Sequence, residues 1–482
     1  MRLIFIGLLT LLFVTLMPVF AEDSVKLEII YPKNCAVINA TSTFIVGNTE
    51  PGADLVINNQ SVKLSPNGGF VQMVGLNKGV NNINIKSSKE HAVNEITYTI
   101  NVPEIKKTTP CVVAPAPMVA VAEITKDYAV TRTYPAQNRL TPLPVGTLLN
   151  ITGKIENSYR FNYSDSVSGW ISENDVRFLQ EINSVSENIL NILNIDSDKN
   201  YVYLKFPLVQ KTPFLIDQIS ENKINFKLFG VKAGADLFFC NNTNAFFEEL
   251  KWTQESNDYL NLDLKINSKQ FWGYKYYYEG NTLVIRLRKP PHVNHRHPLK
   301  GKIVCIDAGH GGTELGAVGP TAVPEKSINL EIAKKLKKIL EKKGAKVVMT
   351  RESDKDVELN DRVDKANLKK AQVVVSIHNN ALPDGKNPYE EHGTTTYYYH
   401  LQSLALAKSI QQSLVSATCF KDLGVLYSSF VLTRPTEVPS VLVEVGFMIN
   451  PDEYDLLITP EFQEKAATGI SQGLEKFFLS RI

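Results

Sequence analysis

The sequence has few cysteines, almost no net charge and, past its first residues, no long apolar run; each shortage excludes something. Five cysteines, Cys35, Cys111, Cys240, Cys305 and Cys419, are scattered without a Cys-x-x-Cys pair, so neither a zinc ribbon nor a disulfide scaffold is written here. An oxidising compartment permits Cys35 or Cys111 to pair, but the odd count leaves a thiol free. Cys305, inside an apolar strand pattern, reads as a small buried hydrophobe. Lys and Arg number 52 against 50 Asp and Glu, and a net charge of +2 gives no electrostatic case for a nucleic-acid partner. No stretch after the N-terminus is long and apolar enough to span a bilayer. With 43% hydrophobic and 21% charged residues over 482 positions, the composition is that of a globular protein of several domains.

What is present begins with Met1, Arg2 and an apolar run over 3–20 that closes on Val19, Phe20 and Ala21. One positive charge, an apolar segment and small residues before Glu22 predict a signal peptide over 1–21, cleaved after Ala21. The chain is then exported to the periplasm or cell wall, with no membrane attachment after cleavage. An uncleaved anchor is the rival reading of the same run.

The chain is expected to be multidomain, with N-terminal all-β modules followed by an α/β catalytic domain holding a mostly parallel sheet. Short β-branched runs cut by Pro51-Gly52 and Asn67-Gly68-Gly69 predict a β-sandwich over 22–103, which resembles bacterial immunoglobulin-like modules. A proline-rich linker follows at 104–118. Residues 119–180, with Ser168-Gly169-Trp170-Ile171, resemble a bacterial SH3-like barrel in which Trp170 is a core aromatic or a ligand platform. Residues 185–289, ending in two strand-like runs around Gly280-Asn281, are similar to the AMIN domains that accompany wall amidases. The stretch 290–299 carries His292, His295 and His297 between prolines and reads as a solvated hinge rather than a metal tract.

From 300 to 482 strands alternate with amphipathic helices. His310 follows the first strand, Glu325 stands just before the first helix, and His378 ends the third strand. All three therefore belong to the carboxyl edge of a sheet, where ligand crevices form. Two imidazoles and one carboxylate are the His₂Glu set of a catalytic zinc. Glu444 closes the apolar strand Val441-Leu442-Val443, and a carboxylate there needs a partner or a task, such as general base. Taken singly, each of these residues could be a satisfied core histidine or a surface acid; the combination argues otherwise.

That combination is also recognisable. Asp307-Ala308-Gly309-His310-Gly311-Gly312, Glu325, Ser376-Ile377-His378-Asn379-Asn380 and Pro439-Ser440-Val441-Leu442-Val443-Glu444-Val445-Gly446-Phe447 resemble, in order, the signature blocks of zinc-dependent N-acetylmuramoyl-L-alanine amidases. The resemblance implies Zn²⁺ on His310, Glu325 and His378, Glu444 as the catalytic carboxylate, and peptidoglycan as substrate, cut between N-acetylmuramic acid and L-alanine. Asn379 and Arg434 are candidates for substrate contact. Asn379, where the family often has a small residue, and the 388–393 loop depart from the pattern. A monomer is expected, with envelope proteins as partners of the β-domains. Two rivals are a non-catalytic wall-binding regulator and a zinc amidohydrolase on another N-acyl substrate.

Overall fold

The computed structural model describes residues 24–104, 115–180, 185–240, 245–255 and 259–481. The expected signal peptide, Cys111 and most of the 104–118 linker lie outside the described residues. Contacts divide the chain into two units, Met1–Pro103 and Glu104–Ile482.

In the first unit, β-branched and aromatic residues at alternate positions build two sheets. One has three strands, with Ser42–Thr49 between Leu27–Tyr31 and Gly69–Gly75; the other has five, centred on the long pair Gly79–Lys89 and Ala92–Val102. Ile45, Leu55, Phe70, Ile85 and Ile100 form their common core.

The second unit opens with a six-stranded antiparallel sheet between Ala116–Ile124 and Val176–Leu179, followed by a five-stranded and a four-stranded sheet that together span 188–288. One apolar cluster runs through both segments, joining Leu149, Phe161 and Ile171 to Leu204, Phe226 and Tyr276. The Tyr128 hydroxyl ties them further by donating to the Tyr276 carbonyl at 2.9 Å. Trp170 is only 5% exposed and meets Tyr134 edge-on, so its ring is a core element rather than an open platform.

A six-stranded mixed sheet forms the last part. Its order is Lys346–Met349, Ile303–Ala308, Val373–Asn380, Ser440–Phe447, Thr394–Tyr398 and Asp422–Tyr427. Thr394–Tyr398 runs antiparallel to Ser440–Phe447, and the other neighbours pair in parallel. Helices α1 (Glu325–Lys342), α3 (Leu404–Thr418) and α5 (Pro460–Ser480) cover one face, while α2 (Leu359–Leu368) brings Ala366 against Cys305 and Val374 on the other. Coverage on both sides explains the continuous apolar runs of the central strands. Short helix α4 (Pro451–Leu457) starts on Asn450, whose side chain accepts from the Glu453 amide. Between His378 and Glu444 the sequence suggests one strand; the structure holds two, because Asp422–Tyr427 is a half-exposed edge strand with a weak apolar signal.

The 185–289 segment is fastened to this sheet. Trp272 is 1% exposed and stacks on Phe478 in the same core as the central strands. Beside it Gly273 approaches so closely that a Cβ would stand 2.0 Å from the Glu437 carbonyl oxygen. The Tyr274 amide donates to Thr436 at 2.8 Å, a few residues before the Glu444 strand. The expected hinge at 290–299 is exposed over most of its length, and only its end, Pro298 and Leu299, is buried where the connection closes against the sheet. No helix among the described residues is long and apolar enough to cross a membrane.

Candidate metal centre

Four side chains of ligand type meet at the carboxyl ends of three adjacent parallel strands. His310 follows Ile303–Ala308, and His378 and Glu444 are register partners on the next two strands, about 5 Å apart by ordinary strand spacing. Glu325 opens α1, with Pro324 as its N-cap, so a carboxylate sits where the helix dipole favours negative charge.

Glu325 lies between the two imidazoles. Its Oε2 is 3.1 Å from His310 Nε2 and its Oε1 is 3.1 Å from His378 Nδ1. The rings stand edge to face with centroids 4.9 Å apart. One ligand atom from each residue falls within 4.8 Å of the others, the one such group among the described residues. His292, His295 and His297 are exposed and take no part.

The electrostatics separate the two acids. Burial works against the Glu325 charge, yet hydrogen bonds from His310 and His378 hold its carboxyl far below the usual range. Burial likewise opposes a charge on His378, but its bond to Glu325 prevails and raises it. For Glu444, burial pushes the carboxyl up to about 7, against the pull of His378 and with the help of Glu325. Its Oε2 is buried with no hydrogen-bond partner. A buried carboxylate oxygen left unpaired beside two imidazoles and a second acid fits a site built around a cation and a proton acceptor.

His310 has φ 58°, in the left-handed region, which aims its ring back over the sheet edge. Gly309 allows this, since a Cβ there would be 2.3 Å from Cε1 of His378.

The segment that carries these residues matches known proteins. Residues 304–476 match the family described as N-acetylmuramoyl-L-alanine amidase. The chain is 35% identical over 203 residues to the germination-specific N-acetylmuramoyl-L-alanine amidase of Bacillus subtilis, covering 38% of this chain and 83% of that relative. The chain belongs to the N-acetylmuramoyl-L-alanine amidase family. It is also 37% identical to the probable cell wall amidase LytH of Staphylococcus saprophyticus over 38% of this chain, and spans 60% of that protein's length. Among solved structures, the catalytic domain of CwlV from Bacillus (Paenibacillus) polymyxa var. colistinus is 40% identical, with 36% of this chain and 97% of that one covered and a TM-score of 0.35.

Around the candidate site lies a polar frame that pattern reading does not reveal. Arg351 donates to the carbonyls of Ala308 at 2.9 Å and Gly309 at 2.8 Å, and Arg362 to those of Ala308 and His310, both at 2.9 Å. Arg362 also pairs with fully buried Asp307 at 2.9 Å. Burial alone would raise the Asp307 carboxyl, but Arg362 together with Ser376 and Thr350 holds it below its usual value. Two arginines thus grip the backbone that presents His310. The sequence signal was a charged residue directly after an apolar strand, as at Arg351. Arg362→Leu should leave Asp307 as an unpaired buried charge, costing about 3–5 kcal/mol. Thermal melting of the metal-free full chain should show the amidase transition falling by about 10 °C; an unchanged transition would mean that the pair does not hold the loop.

Asn379 is corrected by the structure. It is 1% exposed, its Nδ2 donates to Asn329 Oδ1 at 2.7 Å, and its amide donates to Glu325 Oε1 at 3.1 Å. With its side chain beneath the site it has no surface to offer a substrate. Asn329, missed from sequence, lies one turn along α1 from Glu325 and donates to its Oε1 at 2.9 Å. Arg434 is half-buried before the Glu444 strand, with Nε and Nη2 on Ser429 at 3.0 and 2.7 Å, and is not brought to the four central residues.

Proposed function

We propose that this chain is a zinc-dependent peptidoglycan amidase that hydrolyses the bond between N-acetylmuramic acid and the L-alanine of the stem peptide. The observation that carries the reading is the meeting of His310, Glu325 and His378 beside the unpaired carboxyl of Glu444. His310 through Nε2, His378 through Nδ1 and the Glu325 carboxylate would hold the ion. When bound, zinc polarises the scissile carbonyl and makes water a nucleophile near neutral pH. Glu444, whose buried Oε2 has no other partner among the described residues, would take a proton from the attacking water. It returns that proton to the departing amine as the carbon–nitrogen bond breaks, leaving a lactyl carboxylate and a free L-alanine amine. Asn329 and the Asn379 amide keep the Glu325 carboxylate turned to the imidazoles.

Export through a cleaved leader over 1–21 and wall attachment through immunoglobulin-like, SH3-like and AMIN-like segments belong to the same reading. The experiment that tests it is mass spectrometry of the products released from purified sacculi by the full chain.

A further inference from the structure

The face of the sheet beside Glu444 continues past the four residues described above. In the strand Thr394–Tyr398, Thr395 is the register partner of Glu444 and Tyr397 of Leu442. Cross-strand partners share a face and alternate residues repeat it, so Tyr397 lies on the Glu444 side of the sheet, and Tyr399 follows just past the end of the strand. Leu426 joins them as the partner of Tyr397 on the next strand. Phe430 packs edge-on to Tyr397 at 5.1 Å, and Tyr427 stacks on Tyr399 at 5.2 Å. Leu426, Tyr427 and Phe430 are 46%, 64% and 39% exposed, so an aromatic and apolar track leads away from the catalytic acid.

Three arginines stand at its far end. Arg132 and Arg139 are bridge partners in the 116–179 segment. Arg434 comes from the loop before the Glu444 strand, and its carbonyl accepts from His400, whose ring meets Tyr399 at 4.9 Å. The strand Phe214–Gln218 ties the two stretches together, since its Ile216 amide donates to Thr141 Oγ1 at 2.9 Å and its Gln218 Oε1 accepts from the Leu401 amide at 2.7 Å. Burial first, then Arg434 and Arg132, depress Arg139, while Tyr399 opposes them. Burial and Arg132 do the same to Arg434. Arg132 has one donor on the Gln137 carbonyl and Arg434 two on Ser429, whereas the Arg139 guanidinium meets no acceptor among the described residues. None of the three is in an ion pair with a described carboxylate. Three half-buried like charges without a counterion repel one another, and an oxyanion would relieve that repulsion.

Length identifies which oxyanion. Thr395 to Tyr399 is three strand steps and one residue beyond the strand, at most about 13 Å. An extended peptide covers about 3.3–3.6 Å per residue, so four residues beyond a scissile amide at Glu444 reach about the same distance. We propose that Arg132, Arg139 and Arg434 form a subsite for the C-terminal carboxylate of the stem peptide, which lies along the Tyr397–Tyr399 face between that subsite and Glu444. The subsite rests on the amidase reading and adds that residues outside the amidase segment complete the substrate site.

The test is calorimetric binding of a four-residue stem peptide to the full chain, with its C-terminus as free acid or as amide. The free acid should bind at least about 10-fold more tightly. In the double variant Arg132→Gln, Arg139→Gln that preference should vanish, whereas the single variant Arg139→Lys should retain part of it. Equal affinity for acid and amide in the native chain would overturn the subsite, as would a double variant that weakens both peptides alike. A glycerol phosphate polymer that binds the arginines while amide capping has no effect would assign them to a wall phosphate and overturn it too. Binding needs no turnover, so a failed amidase reading would show separately, as intact sacculi.

Discussion

Glu444→Gln should give a protein that keeps its zinc and has lost about 10²–10⁴-fold in turnover, the usual worth of a positioned base. Glutamine preserves shape and volume on the Ser440–Phe447 strand, so the sheet and the neighbouring His378 should stay in place. What is lost is an oxygen able to accept and return a proton, and Glu444 Oε2 has no other described partner whose loss could account for the effect. Metal analysis and sacculus digestion on one preparation read both halves. If the variant also lost its metal, Glu444 would be a ligand; if it still turned over, the general-base role would have to be abandoned.

His378→Ala should fail differently, with metal and activity lost together. The imidazole would supply one of the three proposed protein ligands and also meets Glu325 Oε1 at 3.1 Å, so its removal would take away a ligand and free another. Loss of a hydrogen bond that merely orients a ligand costs 10–100-fold in affinity, and loss of the ligand itself should exceed that. A His378→Ala protein that still bound zinc at one per chain would contradict the proposed donor set. The two variants therefore distinguish a residue that holds the ion from one that moves the proton.

Much of this site is legible in the sequence because its parts sit at places that secondary structure makes predictable. A glycine-flanked His310 after one apolar strand, His378 ending another and Glu444 closing a third must share a sheet edge once the strands are parallel neighbours. Asp307, Arg351 and Arg362 were not legible as a unit, since an acid or an arginine in a linear pattern reads as surface, and only the fold shows that Arg362 is buried against Asp307. Asn379 misled for the opposite reason: a polar residue next to a ligand suggests a substrate contact, but strand alternation turns it to the other side of the sheet from His378. The shared core of the 116–179 and 188–288 segments, and the insertion of Trp272 against Phe478, were equally hidden. Periodicity marks which face of a strand is apolar and leaves open which other face it meets. The same limit kept Arg132 and Arg139 apart from Arg434 until the fold brought them together.

The central claim is the bond that is cut, and mass spectrometry of material released from purified sacculi by the zinc-loaded full chain tests it most directly. The account predicts stem peptides with a free L-alanine amine together with glycan strands bearing bare lactyl carboxylates. Muropeptides with the lactyl amide intact, or sacculi left whole by a chain shown to hold its metal, would contradict it.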